Sequence, residues 1–487
     1  MPDNFGFSIE DVIRFLPETI LIVMGTVLMV LGPIIKKHNS TVFGHLSILT
    51  LIAAALGAGI AYQNGGPAFG GMLVVDGFAT FFRLLVIGVG LLTILPSYRY
   101  LGRQDAETSE FHALLLFSIS GQCLMAASND LIMVFLGLEI SSISSYVLAG
   151  YLRDDKRATE AALKYFLLGS FATAFFLYGV ALIYGSTKTV NLSLIRQVLT
   201  GQDAPSSVFI AVAAALMFVG LAFKVSAAPF QIWAPDVYQG APIPVAAFLS
   251  AGPKAAAFAV LLRIFMTSLE PIGNAWGPLV LGAALLSMIV GNFAALLQTN
   301  IKRMLAYSSI AHAGYILMAV ASQSDTGVAA AMFYLAAYGF MNVGAFVAVS
   351  TLAGKGERYT EIDDFAGLGQ KQPLAAAMFS IFLLSLIGVP LTGGFFGKFY
   401  IFKAAIDSHL VWPTVVGLLT SAVGAYYYLR VLVVMYMRDP SEATVNAEPL
   451  SPGLSLGLIV PALGTLVLGI VPNWVLEFAS KASGLAK

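Results

Sequence analysis

Long apolar runs constrain this sequence more than any other feature, because many of them are the length of a membrane span. A run of roughly 18 or more apolar residues crosses the hydrocarbon core of a bilayer as a single helix. Such runs recur along all 487 residues, of which 58% are hydrophobic and 11% charged. A water-exposed domain usually carries about 25% charged residues, so there is too little charge to cover a soluble surface. The fold class that follows is an all-α integral membrane protein, with the lipid bilayer as its solvent.

The runs predict about fourteen transmembrane helices. They lie near residues 12–35, 45–62, 74–95, 111–127, 131–151, 160–185 and 207–234, then 243–268, 275–298, 304–322, 327–353, 373–405, 411–436 and 454–477. Basic residues set the orientation. The odd-numbered connections hold Lys36, Lys37, Arg99, Arg103, Arg153, Lys156, Arg157, Lys302, Arg303, Lys355, Arg358, Lys371 and Arg438, whereas the even-numbered ones hold little beyond Lys188 and Arg196. The positive-inside rule places the odd connections in the cytoplasm and both termini outside. Asp3, Glu10 and Asp11 precede the first run, where a cleavable signal peptide would carry positive charge, so the N-terminus reads as retained.

Connection 186–206 has room for a short interfacial helix around Leu192–Leu199, and 354–372 reads as a charged, solvated cytoplasmic connection. The stretch NGGPAFGGM reads as a flexible external loop. A formal net charge of zero and the lack of any basic tract argue against a nucleic-acid partner. Cys123 is the only cysteine, which excludes an intramolecular disulfide and a thiolate-held cluster. There is no Gly-rich phosphate loop, no G-x-S-x-G and no zinc-type histidine spacing. Any coupled redox chemistry or ATP hydrolysis must then reside on other chains.

Charges inside the apolar runs are the informative residues, since each costs roughly 2.5–3.5 kcal/mol to insert at bilayer depth. Glu139 stands about halfway along the fifth span, and its short stem cannot reach either interface. Lys224 lies roughly 24 Å along the seventh span at 1.5 Å per residue, with Pro229 five residues on to interrupt the helix beside it. Lys254 follows Pro253 in the middle of the eighth span. Lys398 lies in the twelfth, where Pro390, Gly393 and Gly394 predict a second break. Lys164 is only about one turn into the sixth span, and an ion pair with Glu160 four residues earlier explains it as well as a relay does. His312 falls mid-span in the tenth, as a packing residue or a proton exchanger. Asp76 and Arg83, at i, i+7 in the third span, read as structural, and for Arg263 and Arg430 the sequence leaves a counter-ion role open.

Lysine holds its proton to a pKa of about 10.4 in water; burial disfavours the ammonium and a nearby carboxylate favours it. A lysine whose carboxylate partner approaches and withdraws is a switchable proton carrier. Glu139 and Lys224 are the expected pair, with Lys254, His312 and Lys398 continuing the path through mobile water. The seventh and twelfth spans, both broken beside a lysine, are five spans apart. The fifth and tenth share a Ser-Ser-Ile run at Ser141–Ile143 and Ser308–Ile310. Two inverted five-helix repeats fit that spacing. The expected division is 1–110 (helices 1–3), 111–270 (helices 4–8), 271–440 (helices 9–13) and 441–487 (helix 14).

The stretches LGLEISSISSYVLAGY, EAALKYFLLGSFATAFFLYG, LAFKVSAAPFQIWAPDVYQGAPIPVAAFLSAGPKAAAF, NIKRMLAYSSIAHAGYILMA and GVPLTGGFFGKFYIFKAA resemble the antiporter-like membrane subunits of NADH-quinone oxidoreductase (respiratory complex I), related to Mrp-type cation/proton antiporters. The resemblance runs from about residue 130 to 405. It implies a proton relay through Glu139, Lys164, Lys224, Lys254, His312 and Lys398. Lysine rather than glutamate at 398 points away from the M branch of the family, and the lack of a C-terminal lateral helix points away from the L branch, leaving the N branch. The resemblance further implies subunit M on one side and subunits K and J on the other, in a bacterial inner membrane. NADH, FMN, iron–sulfur clusters and quinone would be handled by other subunits, with no cofactor or metal on this chain. A subunit of a sodium/proton antiporter, or of a hydrogenase or ferredoxin-driven membrane complex, remains the alternative.

Overall fold

The computed structural model describes residues 8–34, 41–106, 109–202 and 205–484, apart from the side chain of Ser207. Asp3, Lys36 and Lys37 lie outside the described residues. The chain opens with α1 (Ile9–Arg14), α2 (Leu16–Leu31) and α3 (Thr41–Gln63), followed by β1 (Gly66–Ala68), β2 (Leu73–Val75) and α4 (Gly77–Arg103). Next come α5 (Ser109–Ala127), α6 (Leu131–Ala149), α7 (Lys156–Thr187), α8 (Leu192–Thr200), α9 (Ser207–Lys224), α10 (Trp233–Gly240) and α11 (Ile243–Arg263). The remainder is α12 (Gly273–Leu296), α13 (Ile301–Ala321), α14 (Asp325–Val349), α15 (Leu368–Lys371), α16 (Pro373–Ile387), α17 (Gly393–Asp407), α18 (Val411–Met437), α19 (Glu442–Val445), α20 (Pro452–Ile470) and α21 (Asn473–Ala482).

Among the described residues, eleven helices are long and apolar enough to cross a membrane, and three shorter apolar ones occupy Leu16–Leu31, Val208–Lys224 and Pro373–Ile387. A bilayer leaves no water for exposed backbone groups, which is why the chain is helical wherever it is apolar. α11, α13 and α14 are buried almost all round, while α3, α7 and α18 turn apolar side chains such as Leu49, Phe171 and Leu419 outward. Those outward residues form the apolar rim of a helix bundle whose interior is α11, α13 and α14.

Connections sort by end. Arg157 Nη2 donates to Gly356 O (3.1 Å), Gln104 Nε2 to Gly354 O (3.1 Å) and Arg438 Nη1 to Asp363 Oδ1 (2.6 Å), so odd-numbered connections meet at one end. Glu448 joins them there, and hydrogen bonds from Arg103 and Arg99 hold its carboxyl below the ordinary glutamate range. Even-numbered connections meet at the other end, where Asn129 and Asn191 both donate to Gly71 O and Arg196 pairs with Glu270 at 3.1 Å.

Two readings of the connections are corrected. The glycine-rich stretch after α3 is an antiparallel hairpin, with Gly66 opposite Val75 and Ala68 opposite Leu73, because the flanking apolar residues Ala68, Leu73 and Val75 bury. Connection 354–372 is not simply solvated: Glu357 is buried in it, as is Lys302, which the orientation count took as a loop charge. The short helix foreseen around Leu192–Leu199 is α8, capped by Asn191.

Candidate functional site

Both interrupted spans break beside a lysine. α9 ends at Lys224, residues 225–232 are irregular, and α10 resumes at Trp233. The freed backbone groups find side-chain partners, as buried polar groups must. The Trp233 indole donates to Phe223 O (2.9 Å), and Ala228 N donates to Ser287 Oγ (2.8 Å). Lys224 Nζ leaves the helix end and donates to Ser142 Oγ (2.6 Å) and Tyr146 OH (3.2 Å), with the rings of Tyr146 and Tyr165 at 5.2 and 5.8 Å. A cavity of about 10 Å³ lined by Lys224, Ser141, Ser142 and Pro253 lies between this lysine and α11.

The second break follows α16. Gly388 at φ +96° caps that helix in the left-handed region, which glycine adopts without a Cβ penalty. From α17, Lys398 Nζ reaches back and donates to Leu386 O (3.0 Å), Ile387 O (2.8 Å) and Ser421 Oγ (2.8 Å). The carbonyls at a helix C-terminus have no partner within the helix and carry its negative dipole end, so they suit an ammonium. The Tyr315 ring lies 4.9 Å from the same nitrogen.

Between the two stand Lys254 and His312. Lys254, 1% exposed, donates to both the backbone carbonyl (2.9 Å) and the hydroxyl of Ser309 on α13. One turn along α13, His312 bonds Tyr334 OH through Nδ1 and Tyr428 OH through Nε2 (3.2 Å), and Tyr428 OH also bonds Ser308 Oγ. Lysine, serine, tyrosine and histidine thus line one stretch of the bundle interior, every heteroatom group able to give or take a proton. Lys224, Lys254 and Lys398 have only neutral partners; among the described residues none of them forms an ion pair.

Two expected members sit differently. Glu139 and Lys224 are not in contact: Glu139 is half-buried on α6, its Oε1 without a hydrogen-bond partner among the described residues. Ser142 and Tyr146, which hold Lys224, stand three and seven residues further along the same helix face, so the lysine meets that face one turn past the glutamate. Lys164 pairs with Glu160 as its spacing suggested (2.8 Å) and also with Asp236 on α10 (2.8 Å), its side chain 42% exposed. It is partly exposed and doubly ion-paired, unlike the three buried lysines.

Of the four other charges singled out in the sequence, Arg83, Arg263 and Asp76 form ion pairs and Arg430 forms none among the described residues. Arg263 grips Asp76 with two hydrogen bonds (2.9 and 3.0 Å), Arg430 bonds backbone carbonyls of Leu296 and Gln298, and Arg83 pairs at 2.7 Å with Glu18 on α2. Sequence reasoning missed Glu18 and the hydroxyl partners. The shared Ser-Ser-Ile run was the one signal for the latter, since Ser142 and Ser309 both lie in it.

With this geometry in hand, comparison with known proteins is direct. A family described as the NADH:quinone oxidoreductase/Mrp antiporter transmembrane domain matches residues 128–424, which include every lysine of the interior. NADH-quinone oxidoreductase subunit N 1 of Solibacter usitatus is 74% identical over the full length of both chains. The chain belongs to the subunit N family of NADH-quinone oxidoreductases. Among solved structures, a chain of respiratory complex I from Thermus thermophilus with bound aureothin aligns with a TM-score of 0.82 and 35% identity, over 95% of this chain and 99% of that one. A chain of the archaeal membrane-bound sulfane sulfur reductase aligns with a TM-score of 0.84 and 28% identity, over 97% of each chain.

Proposed function

We propose that this chain is a proton-translocating subunit in the membrane arm of an NADH:quinone oxidoreductase, moving protons while electrons pass from NADH to quinone elsewhere in the complex. The observation that carries the reading is the set of three buried lysines, Lys224, Lys254 and Lys398, which have hydroxyl and carbonyl partners but no counter-ion among the described residues. The buried arginines Arg83 and Arg263 are paired with Glu18 and Asp76, whereas the three lysines meet only neutral groups. A side chain that can shed its charge needs no counter-ion at bilayer depth, which fits a role in which charge comes and goes.

In this reading Lys224, Lys254, His312 and Lys398 carry the proton, Glu139 tunes Lys224 from the same face of α6, and Lys164 works at the interface. NADH, FMN, iron–sulfur clusters and quinone belong to other subunits. The chain sits in a bacterial inner membrane with about fourteen spans and both ends on the periplasmic side, between subunit M and subunits K and J. Two inverted units, 111–270 and 271–440, form its interior. Supporting that division, α6 and α13 start alike. Asp130 and Asn300 cap them, and each cap forms an isolated antiparallel bridge 61 positions on, to Asn191 and Glu361, at opposite ends of the bundle.

The test is NADH-driven proton uptake by inverted membrane vesicles carrying Lys224→Ala, with the abundance of the assembled complex measured in parallel. Uptake is expected to fall at least tenfold, the order that acid–base groups contribute. Unchanged uptake in an assembled complex overturns the relay.

A further inference from the structure

We propose that the buried pair Lys302–Glu357 is a positioning joint of the pump, coupling the second half of the interrupted seventh span to the helix that holds Lys254. The inference rests on the relay reading above.

Glu357 stands in a connection rich in charge, yet it is 8% exposed, and Lys302 is 1% exposed. Its backbone lies at φ +49°, a left-handed conformation that a glutamate adopts only where its surroundings hold it. Three donors from three parts of the chain converge on its carboxylate: Lys302 Nζ at the start of α13 (2.5 Å), the Ile243 amide at the start of α11 (2.8 Å) and the Tyr100 hydroxyl of α4. A carboxylate gripped by three donors from three parts of the chain is fixed in place, which suits a clamp.

What it clamps is specific. Lys302 also donates to Ala241 O (2.7 Å), so the link between α10 and α11 is held on both sides, by Lys302 on the carbonyl of Ala241 and by Glu357 on the amide of Ile243. The next residue, Arg303, donates to Asp236 Oδ1 (2.7 Å) and Gln239 Oε1 (3.0 Å), both on α10. The first turn of α13 therefore grips the half-helix beyond the Lys224 break and the start of the helix bearing Lys254. Roughly 10 Å further along α13, two turns on, Ser309 holds Lys254 itself. A helix transmits displacement along its axis, so a shift of α10 reaches Ser309 through the Lys302–Glu357 joint, and with it the hydrogen bonds of Lys254.

A buried pair of this kind also serves as a plain staple, and the test must separate the two. Removing one partner strands a buried charge, whereas replacing both with neutral residues of similar volume is often neutral for stability. The variant is therefore Lys302→Met with Glu357→Gln, made in the intact complex and assayed in inverted vesicles beside Lys224→Ala. The expected result is wild-type abundance of the complex, continued NADH oxidation, and fewer protons taken up per NADH oxidised. An assembled double variant with the parental proton-to-NADH ratio overturns the proposal. So does one that fails to assemble, because the pair then serves only to hold the fold. If Lys224→Ala also keeps the parental uptake, the relay reading has failed, and the joint with it.

Discussion

The two broken spans hold their lysines in opposite ways. Lys224 is the last residue of its half-helix and lands on two hydroxyls of a neighbouring helix, while Lys398 stands on the second half-helix and reaches back to the carbonyl end of the first. Hydroxyls accept or donate as they rotate, so the Ser142–Tyr146 site closes its hydrogen bonds around an ammonium or an amine. Backbone carbonyls only accept. Two of the three partners of Lys398 are carbonyls, each of which needs an N–H, while the third, Ser421, is a hydroxyl that can rotate. The first site holds its lysine with side chains that rotate, and the second ties it to the fixed backbone of a helix end.

The sharpest way to break this comparison is to take each ammonium away. Lys398→Met leaves one buried and one part-buried carbonyl without donors, the buried one costing about 1–3 kcal/mol, and is expected to destabilise the complex by about 2–4 kcal/mol. Lys224→Met strands only hydroxyls, and Ser142 already donates to its own helix at Leu138 O. Its cost is expected to be about 1 kcal/mol. Heat-induced loss of assembled complex, followed by size-exclusion chromatography, measures both. Equal losses mean that the backbone carbonyls play no special part at Lys398.

Gly388→Ala probes the second site without touching its charge. Alanine at φ +96° is strained, and its Cβ would approach Lys398 Cδ to 3.2 Å. A cost of about 1–2 kcal/mol is expected, in line with left-handed placement of an L-residue. Proton uptake should fall with it, because the lysine stem must shift. Retained stability together with retained uptake would mean that the end of α16 is loose enough to absorb a methyl group, and the rigid half of the comparison would go.

Sequence reasoning reached the lysines and missed the groups that hold them, for a physical reason. Lys224, Lys254 and Lys398 stand out because one charge in an apolar run costs more than the run can absorb without a partner. Glu357 and Lys302 sit among other polar residues, where burial leaves no mark in composition, so one was taken for solvated loop and the other for an orientation signal. Glu18 lies at the edge of the first apolar run, and nothing local says that Arg83, 65 positions on, will turn toward it. Glu139 and Lys224, expected as a pair that approaches and withdraws, stand one helical turn apart. The sequence places the glutamate on the correct helix, but how far the helix ending at Lys224 slides along it is decided by packing between the two. The breaks themselves were legible from Pro and Gly, whereas the choice between hydroxyl and carbonyl partners was not.

The smallest expected effect is the most specific to the first site. Ser142→Ala removes the shorter of the two hydrogen bonds to Lys224 and leaves Tyr146 OH at 3.2 Å and its ring at 5.2 Å. One remaining hydroxyl and an aromatic face still solvate the charge, so stability is expected to change by about 1 kcal/mol or less. Proton uptake is the more sensitive readout, because Ser142 lies on the α6 face between Glu139 and Tyr146 and makes the shorter bond to Lys224. Partial loss of uptake with near-parental heat stability is the expected pattern. A loss of stability matching that of Lys398→Met would mean that the hydroxyl site holds its lysine as firmly as the carbonyls do, and that the two lysines differ in position but not in kind.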